Sequence, residues 1–369
     1  MNIILFGYYG FGNFGDDQLL HTIIQKLNSY DRNLNVTVIG NGNIISNFIH
    51  FEKTRYVKRN AFNILKEVKN NDVFIVGGGG LFPQHNIFKL LLFLLVAKLA
   101  VLLKKKVAFI GIEITAPPRK FEKVIWKKII LLSELFTVRS DFMLKQYFTD
   151  IFIKKHINVL SDIVFSNNYK QNSRTQKKMV VVSLCNIFFN ENEKFRDDFI
   201  IKICELFLYL LSNNFKIKMI SFFDRSDDIL YSEIIKILND TNIQKINYNK
   251  NFNEIFKYFN EAEYSINMRY HSLVLSSMFC TPGITIAYSP KVEGLAHELG
   301  LQKYTSKICV DKNNYYYEMF NINSKELVSQ FKNLEENYET VKNQMDDSLK
   351  ILREKSLKNF DLLFYLMNV

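Results

Sequence analysis

The sequence predicts two α/β domains of Rossmann-like build facing a central cleft, and three observations carry that expectation. Short apolar runs alternate with helical periods through the first 165 residues, a polar stretch without apolar period fills 166–178, and the alternation restarts at Met179. Strands that alternate with helices form parallel sheets covered on both faces. Such sheets bind ligands beyond the carboxyl ends of their strands, so two of them facing each other set both rows of strand ends around one cleft.

The first domain, 1–165, opens on an apolar strand at 2–6, followed by helix 16–29 and strand 36–39. Helix 60–68, strand 73–76, helix 86–103, strand 107–110 and helix 120–133 come next, and strand-like pieces near 135–138 and 157–160 complete the unit. The run 87–103 is almost wholly apolar, but Lys89 and Lys98 interrupt it. A membrane span needs about 20 apolar residues with few or no charges, so this run is not one. A core helix on the sheet is the plainer reading. With Lys104, Lys105 and Lys106 behind it, a helix grazing the anionic inner leaflet of a membrane is the sharper one.

Residues 166–178 read as an interdomain linker. The second domain, 179–323, holds strand 179–183, helix 194–212, strand 217–221, helix 227–238, a short helix near 253–259, strand 264–266, helix 271–279 and strand 283–287. The tail, 324–369, reads as mainly helical with Lys and Glu over one face.

The 369 residues, 48% hydrophobic and 23% charged, describe a soluble globular chain long enough for two cores. Its 48 Lys and Arg against 37 Asp and Glu give a net charge of +11, which favours anionic partners such as phosphorylated substrates or an acidic membrane surface. Nucleic acid is not expected, because the lysines are dispersed and no binding motif occurs. Cys185, Cys204, Cys280 and Cys309 lack C-x-x-C spacing and sit in apolar surroundings, as reduced thiols of a cytoplasmic protein do. Met1 leads straight into the first strand, with no room for a cleavable signal peptide. No metal-ligand spacing occurs, and neither metal nor cofactor is expected.

Gly10-Phe11-Gly12-Asn13-Phe14-Gly15 satisfies the dinucleotide pattern G-x-G-x-x-G after a strand and before a helix. The rest of a dinucleotide site is missing. Gly40-Asn41-Gly42-Asn43 follows the second strand where a ribose-binding carboxylate belongs, and Asp16-Asp17 would repel a pyrophosphate at the helix start.

Four loops at predicted strand ends carry the chemistry instead. The opening loop brings Tyr8, Tyr9, Asn13 and Asp16; the second is Gly77-Gly78-Gly79-Gly80, whose backbone can approach a ligand without side-chain obstruction. The third, Asn267-Met268-Arg269-Tyr270-His271-Ser272, sets a cation and a titratable imidazole at a helix start, and the fourth, Tyr288-Ser289-Pro290-Lys291, adds a second cation.

Gly7-Tyr8-Tyr9-Gly10-x-x-Asn13-x-Gly15-Asp16, the run Gly77 to Gly80, Val138-Arg139-Ser140, Arg269-x-His271-Ser272 and Pro290-Lys291 occur in this order, and together the chain resembles the polysaccharide pyruvyl transferase family from Gly7 to about Gly300. The family's acidic pair is Asp-Glu where this chain has Asp16-Asp17, and Leu81-Phe82-Pro83-Gln84-His85 is less acidic than the family's segment.

The resemblance implies a GT-B-like glycosyltransferase architecture and transfer of a carboxyvinyl unit from phosphoenolpyruvate to a sugar of a surface polysaccharide or its precursor, lipid-linked or nucleotide-linked. The products are a pyruvate ketal and phosphate. Arg139, Arg269, Lys291 and Ser272 would then bind the donor, and His271 would move the proton with Asp16 serving the acceptor hydroxyl. Tyr8, Tyr9, Asn13, Gly78, Gly79 and Gly80 would shape the acceptor pocket. Two other classes share these features: a nucleotide-sugar glycosyltransferase of the same fold, and a non-catalytic sugar-binding member of a polysaccharide assembly complex.

Overall fold

The computed structural model describes residues 1–41, 52–80, 87–113, 119–140, 151–169, 177–187, 193–308 and 322–368. The chain divides into two compact units, Met1–Asn167 with Ile351–Val369, and Asn168–Lys350.

The first unit is built on β1 (Asn2–Phe6), α1 (Phe14–Tyr30), β2 (Asn35–Gly40), β3 (Thr54–Lys58), α2 (Ala61–Asn70), β4 (Val73–Gly79), α3 (Ile87–Leu102), β5 (Lys106–Ile112), α4 (Lys120–Leu132), β6 (Leu135–Val138) and β7 (Asn158–Val159). Its strands pair in parallel in the order β3-β2-β1-β4-β5-β6-β7. Register sets Ile3 against Val36 on one side and Val73 on the other. Ile3, Ile4 and Leu5 are fully buried, as a central strand covered on both faces requires. One face of the sheet packs on α2, α3 and α4 through Ile64, Val68, Phe93, Val96, Trp126 and Ile129. Leu19, Leu20, Ile23, Ile24 and Leu27 of α1 are wholly buried, and Ile23 and Leu19 reach the end of β4.

The second unit comprises β8 (Met179–Ser183), α5 (Glu193–Ser212), β9 (Lys216–Ile220), α6 (Asp224–Leu238), β10 (Ile243–Ile246), α7 (Phe252–Glu261), β11 (Tyr264–Asn267), α8 (Tyr270–Met278), β12 (Gly283–Ala287), α9 (Pro290–Glu298), β13 (Thr305–Lys307) and α10 (Ser324–Glu336). Its strands are again parallel, in the order β10-β9-β8-β11-β12-β13. Val180, Val181 and Val182 of β8 are buried in the middle of the sheet.

Three strands go beyond the sequence reading, and all lie at sheet edges: β3, β10 and β13. An edge strand buries less and so tolerates Arg55, Lys58, Gln244 and Lys307, which blur its apolar signal. The helical tail is not a unit of its own. α10 belongs to the second unit, whereas the last helix, α11 (Tyr338–Asn368), counts with the second unit to Lys350 and with the first from Ile351. Its Asn359 accepts the Thr137 hydroxyl proton at 2.5 Å and its Ser356 donates to the Asp162 carbonyl, contacts a surface tail would lack. The linker reading is displaced at its start: Phe165 and Ser166 close a short 3-10 helix, Ile163–Ser166, while 170–176 lie outside the described residues.

Candidate functional site

In each sheet the chain runs outward from a central strand and then returns to that strand's other side. This creates a topological switch point between β1 and β4 in the first unit and between β8 and β11 in the second. Open α/β sheets bind ligands beyond the strand ends at such points. The loop 7–13 and the glycines 77–80 follow β1 and β4; Leu184-Cys185 and Met268-Arg269 follow β8 and β11.

At the first switch point much of the glycine motif is packing. Tyr9 is fully buried, and its hydroxyl donates to the Gly77 carbonyl at 2.6 Å. Burial, with the Asp16 charge added, holds that phenol well above its ordinary range, so it stays a neutral donor. A Cβ at Gly77 would stand 2.4 Å from Ile23 and 2.7 Å from the Tyr9 hydroxyl; one at Gly78, where φ is +67°, would press on Leu19 at 2.9 Å. These two glycines let α1 close on the sheet. Asp17, fully buried, accepts from the Gly10 N–H at 2.7 Å and fixes the loop. The Asn13 side-chain oxygen caps α1 by accepting from the Gly15 and Asp16 N–H groups.

Tyr8 and Gly80 remain at the surface of this switch point, with Asp16 half-buried and Gly79 buried beside it. Tyr8 is exposed and stacks on Phe11 with ring centres 4.4 Å apart. Asp16 is half-buried and faces Gly79, where a Cβ would lie 3.1 Å from its Oδ1; Gly80 is exposed. The segment 81–85 lies outside the described residues.

Arg139 is buried in an ion-pair cluster and is not open at a strand end. Only 3% of it is exposed, and it donates from Nε to Glu113 and from Nη1 to Asp162, each at 2.7 Å. Both carboxylates are as deeply buried as the guanidinium. Among the described residues two buried carboxylates share this guanidinium. It ties the ends of β5 and β6 to the turn that opens the 3-10 helix.

At the second switch point the expected residues come together with others. Arg269 is the N-cap of α8, in extended conformation, and its Nη2 pairs with the fully buried Asp227 in the first turn of α6. Asp227 also accepts from the Phe222 and Phe223 N–H groups at 3.3 and 3.1 Å and from Ser226. The carboxylate thus aims the arginine, whose side chain keeps 15% exposure. Burial works against the Arg269 charge, but Cys185, Asp227 and Tyr288 overcome it and hold the guanidinium above its ordinary value. Burial pushes the Cys185 thiol up to about 11, with Arg269 and Lys291 opposing and Asp227 adding to the shift. Lys291 lies in the first turn of α9, after β12, the strand beside the β11 that precedes Arg269. Tyr231 fastens the floor by donating to the Ile220 carbonyl at 2.9 Å and accepting from the Leu184 N–H at 2.9 Å.

His271 stands half-exposed in the first turn of α8, its ring edge-on to Tyr270 with centres 5.3 Å apart. The buried Ser272 donates its hydroxyl proton to Asn267 Oδ1 at 2.5 Å and its N–H to the Arg269 carbonyl at 3.1 Å. Having spent both protons, it locks the start of α8. Ser289, the N-cap of α9, was not singled out by the sequence reading. Its buried hydroxyl and the buried Arg269 Nε have no hydrogen-bond partner among the described residues, and the same holds for the Ser183 and Ser221 hydroxyls at the ends of β8 and β9. Buried donors are ordinarily satisfied, and these four follow or end neighbouring strands, β9, β8, β11 and β12.

Asp227 also escaped the sequence reading, in which Cys185 figured only as a buried thiol and Tyr288 only as part of the fourth loop. Asp227 had a signal, since acidic residues crowd the loop after β9, Asp224-Arg225-Ser226-Asp227-Asp228. Its partner is 42 residues away, and only the fold joins them. Cys185, Cys204 and Cys280 are buried thiols outside any disulfide, and Cys280 Sγ lies 3.7 Å from Asp346 Oδ1; Cys309 lies outside the described residues. Among the described residues no His, Cys, Asp and Glu group could hold a metal ion.

The fold is shared with nucleotide-sugar enzymes at low sequence identity. S. aureus MnaA in complex with UDP superposes with a TM-score of 0.65 at 11% identity, covering 100% of this chain and 97% of that one. UDP-GlcNAc 2-epimerase from Neisseria meningitidis gives 0.60 at 11% identity over 99% and 100%, and a glycosyltransferase from Rickettsia africae 0.59 at 12% over 100% and 96%. These likenesses establish the two-Rossmann, GT-B architecture. No curated protein matches the chain in sequence. Residues 13–290 match the family model of the polysaccharide pyruvyl transferases, a span that runs from the end of the loop 7–13 through the glycines 77–80 and the loops after β8 and β11, and the chain belongs to that family.

Proposed function

We propose that the protein transfers the pyruvyl unit of phosphoenolpyruvate to a sugar of a surface polysaccharide or its precursor, forming a ketal and releasing phosphate. The observation that carries this reading is the set of donors at the end of the second sheet. Arg269, aimed by Asp227 and keeping an unpartnered Nε, shares that place with Lys291 and the Ser289 hydroxyl. Phosphoenolpyruvate offers only acceptor atoms, on a phosphate and a carboxylate, and suits such a set.

His271 is the group to protonate the vinyl methylene carbon, which leaves an oxocarbenium-like centre. A sugar hydroxyl adds there and gives up its proton, a second hydroxyl displaces phosphate, and the ketal closes. Each methyl group formed takes one proton, the two hydroxyls release two, and the departing phosphate takes the other. Asp16, half-buried at the start of α1, is the candidate to receive a hydroxyl proton, and the exposed Tyr8–Phe11 stack offers a platform for a sugar ring.

The second reading is a nucleotide-sugar transferase, favoured by the likeness to S. aureus MnaA solved with UDP. Measuring phosphate release from phosphoenolpyruvate beside UDP release from UDP-sugars, with lipid-linked and nucleotide-linked acceptors, separates the two. Acceptor-dependent phosphate release is the expected result. Nucleotide release without turnover of phosphoenolpyruvate would overturn the proposal, and so would absence of phosphoenolpyruvate binding by calorimetry.

A further inference from the structure

We infer that the outer face of α2, α3 and α4 is a docking surface for an anionic lipid bilayer. The three helices lie side by side on one face of the first sheet, and their inner sides fill its core. The outer stripe of a helix covering a sheet is ordinarily polar. Here it is not. Phe88, Leu91, Leu95 and Leu102 of α3 follow one another at three-, four- and seven-residue steps, all exposed, Phe88 to 81% and Leu102 to 79%. Lys98 is the one polar residue in that stripe. On α4 the stripe is Phe121, Val124, Lys128 and Leu131, again exposed, and α2 adds Phe62 at 75% with Lys66 and Lys69.

The charges on these helices have one sign at the surface. Two lysines lie in α2, two in α3 and four in α4, against two carboxylates, Glu67 and Glu122. Both glutamates are buried: Glu67 pairs with Arg55, and Glu122 accepts from the Arg119 N–H at 2.7 Å. Between α2 and α3 lies a shallow groove, whose lining of Phe6, Ile64, Phe74 and Phe93 is joined by Arg59 and Lys89.

Bulky apolar side chains on helices whose exposed charges are all cations suit an anionic bilayer, where the rings and leucines enter the acyl boundary and the lysines meet headgroups. A second copy of the chain fits badly, because a symmetric contact would bring each copy's lysines against the same lysines of the other. The contact lies in the plane of the membrane. Among the described residues no helix is long and apolar enough to cross one.

The inference does not depend on the donor assigned above, and its test needs no turnover. The full chain is floated with phosphatidylcholine vesicles, with and without phosphatidylglycerol. The expected result is binding to the anionic vesicles alone. Leu95→Ser with Leu102→Ser, and separately Lys98→Glu with Lys128→Glu, should each lower partitioning by at least about tenfold. All four positions are on the outer stripes, so thermal unfolding should match the parent. No vesicle binding, equal binding to neutral vesicles, or variants that bind like the parent would overturn the inference. So would light scattering that shows a parent dimer turned to monomer by these substitutions.

Discussion

Replacing Arg139 by alanine should damage the fold of the first unit and leave donor affinity unchanged in the molecules that stay folded. The guanidinium makes two charge-assisted hydrogen bonds of 2.7 Å, and neither carboxylate has solvent to fall back on. After its removal Glu113 would keep the Ser140 hydroxyl at 3.3 Å, and Asp162 the Val164 N–H at 3.0 Å. Breaking a buried pair costs about 3–5 kcal/mol, chiefly because one buried charge is left without its partner. Two carboxylates share this cation, so the upper part of that range is expected. Against a total stability of about 5–15 kcal/mol, this loss is a third or more. Denaturant titration of Arg139→Ala reads it as a lower midpoint. Arg139→Lys should recover only part, since an ammonium cannot span two carboxylates as a planar fork does. Combining Arg139→Met with Glu113→Gln and Asp162→Asn should recover more, because no buried charge then stands alone. An alanine variant as stable as the parent but binding phosphoenolpyruvate ten times more weakly would refute this reasoning and return Arg139 to the donor site.

His271→Gln should lower kcat by about 10²–10⁴ with a smaller change in donor affinity, since glutamine can hold a hydrogen bond but cannot transfer a proton near neutrality; near-parental kcat at saturating donor would remove the imidazole from that role. Asp227→Ala should weaken phosphoenolpyruvate binding by about one to two decades, the worth of one charge-assisted contact, while Asp227→Asn, which keeps an acceptor for the Phe222 and Phe223 N–H groups, should hold the fold better than alanine. Ser289→Ala should raise the donor KM by less than tenfold without loss of stability, as its hydroxyl has no partner among the described residues to forfeit. Cys185 is pushed from 9.0 to about 11, so it binds its proton more tightly in the folded chain; the stability this gives is complete below pH 9 and falls as pH rises toward 11. The stability difference between parent and Cys185→Ser should therefore shrink over that window and stay flat below it.

What the sequence showed depended on how many faces of each element are covered. Central strands such as β1, β4 and β8 are buried on both sides and read as unbroken apolar runs, so their places were legible. Edge strands β3, β10 and β13 carry lysine, arginine or glutamine and were not. α9 begins with Pro290 at its first turn, a start signal in a segment taken only as a cation-bearing loop. At the sites, Arg269, His271 and Lys291 were legible because they sit within a few residues of strand ends. Asp227 was hidden, since the pairing that aims Arg269 crosses from one strand's loop to another's. Gly77 and Gly78 misled for the opposite reason. A glycine run after a strand looks the same whether a ligand or Ile23 and Leu19 come close to it.

Arg139 and Arg269 show why residue type at a strand end is not enough to assign a binding role. Both follow a buried parallel strand, both are largely buried, and both bond carboxylates. The difference is what is left over for a ligand. Among the described residues, Glu113 and Asp162 hold the buried Arg139 guanidinium from Nε and Nη1. Arg269 is held from Nη2 by Asp227, while its Nε and the Ser289 hydroxyl have no hydrogen-bond partner among the described residues. A donor left over at a strand end can take a phosphate or carboxylate, whereas one already spent on a buried carboxylate cannot. Under the proposed function, Lys291 adds a cation to that set. Lys291→Glu, which leaves Arg269 and Asp227 in place, should cost more donor affinity than Lys291→Ala, and equal losses would mean that Lys291 acts by contact alone.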